Sequence, residues 1–123
     1  MKRLAAAVGL IGIIQTGPAC AADAAAGKSL FARCQMCHTL DPNGPTMLGP
    51  NLHGLFGRKA GSLPGFNYSA AMKESGVVWD DGTLAKYLRD PKHFIPGNHM
   101  AFPGLTSDAE LADLLAYLKE ATK

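Results

Sequence analysis

Cys34-Gln35-Met36-Cys37-His38 places two thiols and an imidazole within five consecutive residues of a 123-residue chain. Two cysteines separated by two residues and followed directly by a histidine form the pattern of c-type haem attachment. The spacing suits that chemistry, because two neighbouring thiols can each add to one vinyl group on the same porphyrin edge, and the adjoining imidazole can then bind the iron. We therefore predict one covalent haem c, with Cys34 and Cys37 as thioether donors and His38 as an axial ligand.

Three other chemistries use closely spaced cysteines. A thioredoxin-like redox pair requires a βαβ context and a cytosolic protein, and neither is evident in this sequence. A structural zinc site requires four ligands, and His93 and His99 have no cysteine near them to complete a second pair. A disulfide between Cys34 and Cys37 would be strained by the geometry that such bonds require. Haem attachment is the preferred interpretation, with these three as its alternatives.

The first residues have the pattern of a secretory signal peptide. Residues 1–3 are positively charged at Lys2 and Arg3, residues 4–14 form an apolar run, and residues 18–22 are small or contain the proline of a cleavage region. The apolar run is too short for a spanning helix, which needs about twenty residues. We therefore predict export to a bacterial periplasm without a transmembrane anchor.

Cleavage is expected after Ala22, or after Ala21, so that residues 1–22 are removed and residues 23–123 form a single domain. An acylated Cys20 is the alternative. The whole chain has 12 basic and 10 acidic residues, and loss of Lys2 and Arg3 leaves 10 against 10. A neutral mature chain offers no basic surface for a nucleic-acid partner.

The pattern along the mature chain predicts an all-α fold with long irregular loops. Asp23 and Ser107 are candidate N-caps, with Glu110 completing a capping box at Ser107. A loop rich in glycine and proline occupies residues 39–65. The predicted helices are residues 24–33, 69–75 and 83–90 and a last helix that begins after Ser107. Pro91 is expected to stop the third of these helices. The last helix carries an apolar stripe of Leu111, Leu114, Leu115 and Leu118, which we expect to pack on the first helix at Gly27.

The sixth ligand of the iron decides what the haem can do. Met100 follows a loop whose proline and glycine limit its conformations. A thioether favours ferrous iron and raises the reduction potential. The competing side chains are His53, His93, His99, Met36, Met47 and Met72. From the residues alone, Met100 and His99 both remain candidates.

At the level of the whole mature chain, the sequence resembles the class I cytochromes c, in particular the bacterial relatives of the mitochondrial protein. The stretches that carry the resemblance are residues 34–39, 49–59, 65–69, Trp79, residues 87–88, 91–102 and 114–119. It implies a cytochrome c fold with three main helices, short helices and long loops wrapped around one haem. It also implies Met100 as the distal ligand.

The resemblance further implies roles around the haem. Pro50 would accept a hydrogen bond from His38 through its carbonyl, and Tyr87 would place its hydroxyl near the Met100 sulfur. Phe102 would lie at the exposed haem edge. The expected partners of a haem propionate are Arg58, Tyr68 and Trp79.

Several positions depart from the family pattern. Met72 stands where asparagine is common, and Asn98 replaces the usual threonine while keeping a hydrogen-bonding side chain near the haem. The lysines that usually ring the haem edge are largely missing, and Arg33, Lys92 and Lys28 remain. We therefore expect weak electrostatic steering and docking through apolar residues, namely Met36, Met47 and Phe102.

The resulting prediction is a monomeric electron carrier and not an enzyme. Its redox partners would be a bc-type complex, a terminal oxidase, a photosynthetic reaction centre or a periplasmic dehydrogenase. A peroxidase-like haem with an open sixth position is one alternative, and a gas or redox sensor that loses Met100 on a signal is another.

Overall fold

The computed structural model describes residue 9, residues 12–14 and residues 21–123. Most of the expected signal peptide, including Cys20, lies outside the described residues. In the part of the chain that is described, no helix is long and apolar enough to cross a membrane.

The described chain is helical, as predicted. Its helices are α1 (Ala24–Phe31), α2 (Ala70–Glu74), α3 (Asp81–Arg89), α4 (Pro91–Phe94) and α5 (Asp108–Ala121). Residues 21–123 contain no strand, only an isolated antiparallel bridge between Lys59 and Val78. The all-α prediction of three main helices with shorter ones between them is therefore confirmed.

Helix α1 begins at its predicted cap and ends two residues before the predicted position. The Asp23 carboxylate accepts hydrogen bonds from the N–H groups of Ala25 at 2.9 Å and Ala26 at 3.3 Å. Beyond Phe31 the chain continues in tighter turns, because the N–H of Arg33 bonds to the carbonyl of Leu30, three residues back, at 3.2 Å. These turns carry the chain directly into the cysteine motif.

Helices α1 and α5 pack against each other, as the sequence predicted. Gly27 is buried at the contact, where a Cβ would clash with the Asp113 carbonyl and lie 2.8 Å from Cβ of Tyr117. The ring of Phe31 lies 5.5 Å from that of Tyr117, measured between centroids. The missing side chain at Gly27 thus sets how closely the two helices approach.

Helix α3 begins two residues earlier than predicted because of a cap that sequence reasoning missed. The Asp80 carboxylate accepts from the Thr83 N–H at 2.7 Å, and the Thr83 hydroxyl oxygen accepts from the Asp80 N–H at 2.9 Å. This is the reciprocal pair of a capping box. At α5 the Ser107 hydroxyl oxygen accepts from the Glu110 N–H at 3.3 Å, which is one of the two bonds predicted there.

Pro91 was expected only to stop the preceding helix, but it also begins the next one. It occupies the first turn of α4, where a missing N–H has no consequence. Asp90 ends α3 and caps α4 at once, since its carboxylate accepts from the His93 N–H at 3.4 Å. The two helices therefore follow each other with only Asp90 between them.

The long loop, residues 39–69, contains no helix and is tied to the rest of the molecule by backbone hydrogen bonds. The Gly49 N–H donates to the Cys37 carbonyl at 2.8 Å, and the Gly57 N–H donates to the Trp79 carbonyl at 2.7 Å. The loop is therefore held against both the cysteine motif and the segment before α3.

One apolar core joins the helices and the loop. Its buried members are Phe31, Leu55, Ala60, Trp79, Leu84, Tyr87, Leu88, Ile95, Leu105, Leu111, Leu114 and Leu118. Cys34 and Met100 pack against this core from its edge, each half-buried. Two of the predicted haem-binding side chains thus lie on a common apolar base.

Candidate functional site

The two cysteines and the histidine lie in a compact turn that continues α1. The Cys34 carbonyl accepts from the N–H of Cys37 at 3.0 Å and from the N–H of His38 at 2.9 Å. Both cysteines are free thiols and half-buried, so they do not form the alternative disulfide. Burial raises the pKa of the Cys34 thiol. The turn presents both sulfur atoms and the imidazole from one short segment.

The His38 ring is fixed by two consecutive residues of the long loop. Its Nδ1 lies 2.7 Å from the Pro50 carbonyl oxygen, so Nδ1 carries the proton and Nε2 keeps its lone pair. A Cβ on buried Gly49 would lie 2.7 Å from Nδ1, which shows that the backbone there packs directly on the ring. Burial lowers the pKa of His38, favouring the neutral form that binds metals.

Gly49 is a functional residue that sequence reasoning missed. The stretch was noted for its resemblance, and the turn-forming glycines of the loop were treated alike. The available signal was its position directly before Pro50, the residue expected to accept from His38. Only the packing of the loop on the ring shows that this glycine leaves room for the imidazole.

Arg58 is a half-buried cation held by the same loop. Its guanidinium donates to the carbonyl oxygens of His53 at 3.2 Å and Asn51 at 3.0 Å. Burial lowers the pKa of Arg58, and it raises the pKa of Tyr68 while the nearby Arg58 charge opposes that rise. Three of the five N–H donors of a guanidinium remain for an anionic group. Arg58 and Tyr68 are therefore close enough to act on the same ligand.

Trp79 links this region to the segment that carries Met100. Its backbone N–H donates to the Arg58 carbonyl at 3.0 Å, and its ring centroid lies 5.0 Å from that of Tyr87. The Tyr87 hydroxyl donates to Oδ1 of Asn98 at 3.2 Å. The resemblance implied a place near the Met100 sulfur for that hydroxyl, and the structure shows it bonded to a residue two positions before Met100.

The candidate sixth ligands differ in their surroundings. Met100 is half-buried and packs against the core, whereas His99 is exposed. His93 is exposed too, and its Nδ1 lies 2.6 Å from the Asp90 carboxylate. Met72 is half-buried on α2, against the core.

These residues fit a covalent haem c. The donor set combines two free thiols, an imidazole with only Nε2 available, a packed thioether and a half-buried cation. An open surface groove of about 280 Å³ beside the imidazole is lined by Phe31, Gln35, His38, Thr39, Leu40 and Met47. Among the described residues, no three His, Cys, Asp or Glu side chains are grouped so that they could hold one metal ion without the haem.

Comparison with known proteins agrees with this chemistry. Residues 24–122 match the family model described as Cytochrome c. The chain is 50% identical to cytochrome c of Sesamum indicum over 101 residues, which cover 81% of this chain and 91% of that protein. It is 45% identical to cytochrome c2 of Blastochloris viridis over 103 residues, covering 84% of this chain and 81% of that protein.

A helical fold with a C-x-x-C-H turn on an apolar base defines a small c-type haem protein. The chain belongs to the cytochrome c family, within its class I, and the resemblance inferred from the sequence is confirmed. The protein transfers electrons and is not an enzyme, and its cofactor is covalently bound haem c.

The buried phenol of Tyr87 predicts a loss of stability in alkali. Burial raises its pKa from 10.0 to about 12, so the folded state keeps the proton over a pH range where the unfolded state releases it. A raised folded pKa stabilises the protein fully below about pH 10, and this contribution is lost as the pH rises to about 12. The expected loss is about 3 kcal/mol, from about 1.4 kcal/mol for each pH unit.

Denaturant unfolding of the reduced holoprotein at intervals between pH 8 and pH 12 measures this loss. The matched variant is Tyr87→Phe, which keeps the ring and lacks the ionisable hydroxyl, while Tyr68 stays in both proteins. The unfolding free energy of the unchanged protein, minus that of Tyr87→Phe, should fall by up to about 3 kcal/mol as the pH rises from about 10 to about 12. A gap independent of pH would contradict the prediction.

Proposed function

We propose that this protein is a periplasmic electron carrier whose single haem c, attached through Cys34 and Cys37, is bound axially by His38 and Met100. The observation that carries the proposal is the fixed His38 ring, held by Pro50 and by the Gly49 backbone with only Nε2 left to bind iron. Met100, packed against the core on a loop tied to α3, would supply the iron with a soft second ligand.

When bound, haem c supplies an iron that gains or loses one electron. His38 keeps one tautomer throughout, because the Pro50 carbonyl holds the Nδ1 proton. Met100 would remain a ligand in both oxidation states, because Asn98, two residues before it, is hydrogen-bonded to α3 and α4. The apolar core beneath Cys34 and Met100 excludes water, which limits rearrangement as charge changes.

Burial supports Met100 over His99 as the distal ligand. Met100 packs against the core, while the adjacent His99 is exposed. The proposal takes Met100 because a half-buried thioether needs no hydrogen bond of its own.

We assign the haem propionates to Arg58, Tyr68 and Trp79. Arg58 supports this assignment, because its half-buried charge is held by two backbone carbonyls and has further N–H donors to offer. Tyr68 lies close enough to affect the Arg58 pKa. Trp79 is bonded through its backbone to Arg58 and brings a polar N–H to the same region.

The proposed function is tested by spectroscopy of the purified holoprotein. Ferric protein with a methionine ligand shows a weak far-red absorption that arises from charge transfer between sulfur and iron. We expect this absorption at neutral pH, and we expect the reduced protein to resist carbon monoxide. A protein that lacks the absorption and binds carbon monoxide readily would have an open sixth position, and the carrier assignment would be withdrawn.

The periplasmic location rests on residues 1–22, which have the pattern of an exported signal. Expression in a bacterium with haem-attachment machinery, followed by fractionation and N-terminal sequencing, tests it. The mature chain should begin at Asp23 or Ala22 in the periplasmic fraction. Cys20→Ser should process identically, whereas loss of a lipid in that variant would indicate an acylated terminus.

The partner is proposed to be a redox protein of the respiratory or photosynthetic type, such as a bc-type complex, a terminal oxidase, a reaction centre or a periplasmic dehydrogenase. The candidate docking residues are mainly apolar. Met36 is 75% exposed and Met47 is 44% exposed. Phe102 is less exposed, because it is half-buried against the core. Leu48, which sequence reasoning did not single out, is 83% exposed next to Met47.

An apolar docking surface predicts weak salt dependence of the electron-transfer rate. Between ionic strengths of about 0.01 M and 0.15 M the Debye length falls from about 30 Å to about 8 Å, which weakens steering between charged partners. We expect the second-order rate with a purified oxidase or bc-type complex to change by less than about threefold over this range.

The matched variant for this measurement is Met47→Lys, which adds one exposed cation to the same surface. Its rate should fall more steeply with salt than that of the unchanged protein if the partner is acidic. A steep fall already present in the unchanged protein would show that its remaining cations, such as Arg33 and Lys92, do steer association.

A further inference from the structure

Asn98 uses every hydrogen-bonding position of its side chain. Its Nδ2 donates to the carbonyl oxygens of Pro91 at 2.8 Å and Ile95 at 2.9 Å. Its Oδ1 accepts from the Tyr87 hydroxyl at 3.2 Å and from the Met100 N–H at 3.0 Å. An asparagine side chain has two donors and two acceptor lone pairs, so all four are occupied.

These partners also determine which way the amide faces. With nitrogen and oxygen exchanged, the oxygen of Asn98 would face two carbonyl oxygens, and the amino group would face the Met100 N–H. Both contacts would be unfavourable, since none of these groups can change from donor to acceptor. The orientation therefore follows from the network itself, and a residue with fewer donors and acceptors cannot replace it fully.

The four bonds join three parts of the molecule at one side chain. Tyr87 lies on α3 and is 5% exposed, and Pro91 begins α4. The bond to the Met100 N–H spans two residues and fixes the backbone from which the thioether extends. The chain between these points turns at Gly97, whose φ of +89° lies in the left-handed region. Asn98 thus anchors the loop on both sides of this turn.

We propose that Asn98 is a positioning residue that sets the strength of axial binding by Met100, by holding the Met100 backbone to α3 and α4. The inference rests on the proposed function, in which Met100 is the distal ligand. A loop opening that releases Met100 must break the bond to its N–H or carry Asn98 away from Tyr87 and α4. The network therefore makes such an opening rare.

Imidazole binding to the ferric holoprotein measures this opening directly. An external ligand binds only the open form, so its apparent affinity is lowered by the fraction of molecules that are open. Asn98→Ala should tighten apparent imidazole binding by about tenfold or more, because several hydrogen bonds that resist opening are lost. Asn98→Thr keeps a hydroxyl with one donor, so its apparent imidazole affinity should lie between that of Asn98→Ala and that of the unchanged protein.

The control is Asp23→Ala, which removes the side-chain hydrogen bonds that cap the start of α1. The Asp23 carboxylate accepts from the N–H groups of Ala25 at 2.9 Å and Ala26 at 3.3 Å. This variant should lose stability and keep the imidazole affinity of the unchanged protein. An equal shift in both alanine variants would reveal general destabilisation and overturn the inference.

Tyr87→Phe provides a second measurement that does not depend on Asn98→Ala folding. It removes one of the four bonds, and we expect imidazole to bind about threefold to tenfold more tightly. Unchanged affinity in Tyr87→Phe, or in a folded Asn98→Ala, would overturn the inference while the far-red absorption of the unchanged protein still supports Met100. Absence of that absorption from the unchanged protein would instead reject the proposed function.

Discussion

Replacing Gly27 with alanine is expected to destabilise the protein by about 3 kcal/mol, although the same change usually stabilises a helix. A Cβ at this position would clash with the Asp113 carbonyl and lie 2.6 Å from the carbonyl carbon of that residue. Backbone cannot move aside as the end of a flexible side chain can. Helices α1 and α5 must therefore separate, which also disturbs the contact of Phe31 with Tyr117.

The matched variant is Gly82→Ala in α3. There the nearest atom to an added Cβ is Oδ1 of Asp80 at 3.5 Å, an ordinary contact. This variant should gain up to about 1 kcal/mol from the reduced entropy of its unfolded chain. Chemical denaturation of both holoproteins measures the two changes. If both variants changed the unfolding free energy in the same direction, Gly27 would not limit the approach of the helices.

Replacing Met100 with alanine is expected to change what the haem can do. The variant should lose the far-red absorption of the ferric protein, bind carbon monoxide when reduced, and have a reduction potential lower by about 100 mV or more. The physical reason is that removing a neutral thioether withdraws a ligand that favours ferrous iron and leaves an open position. Absorption spectra and a redox titration measure these three changes.

Two controls separate this result from general damage to the pocket. Met72→Leu removes another half-buried methionine that packs against the core, and it should keep the absorption and resist carbon monoxide. His99→Gln removes the exposed histidine next to Met100, which is the rival nitrogen ligand. This variant should also keep the absorption and resist carbon monoxide. Carbon monoxide binding by reduced His99→Gln, with Met100→Ala still resisting carbon monoxide, would reverse the assignment of the distal ligand.

Local patterns were enough to predict most of the helices. Asp23 and Ser107 were predicted as caps and are caps, because a cap bonds to N–H groups within three residues of itself. The leucine stripe of α5 predicted its buried face. The predicted start of α3 was two residues too late, because Asp80 and Thr83 form a capping box that begins the helix at Asp81. Pro91 was treated only as a stop, although a proline also suits the first turn of a helix.

The site was predictable where its chemistry is written in adjacent residues or in family resemblance. The contact between His38 and the Pro50 carbonyl was expected from the resemblance and is present at 2.7 Å. The role of Gly49 was not foreseen, since it depends on how a loop eleven residues away packs on the imidazole. Asn98 was recognised as a polar residue near the haem, but none of its four partners was predicted.

The prediction of covalent haem attachment comes from residues 34–38, where two thiols and an imidazole lie in one short segment. The caps and the apolar stripe of α5 are likewise local, since each involves residues within a few positions of one another. Tertiary structure decided the rest. The Gly27 contact with α5, the ring packing at Gly49 and the bond between Asn98 and Tyr87 join residues that lie many positions apart in sequence. Their geometry exists only after the helices and the long loop have packed together.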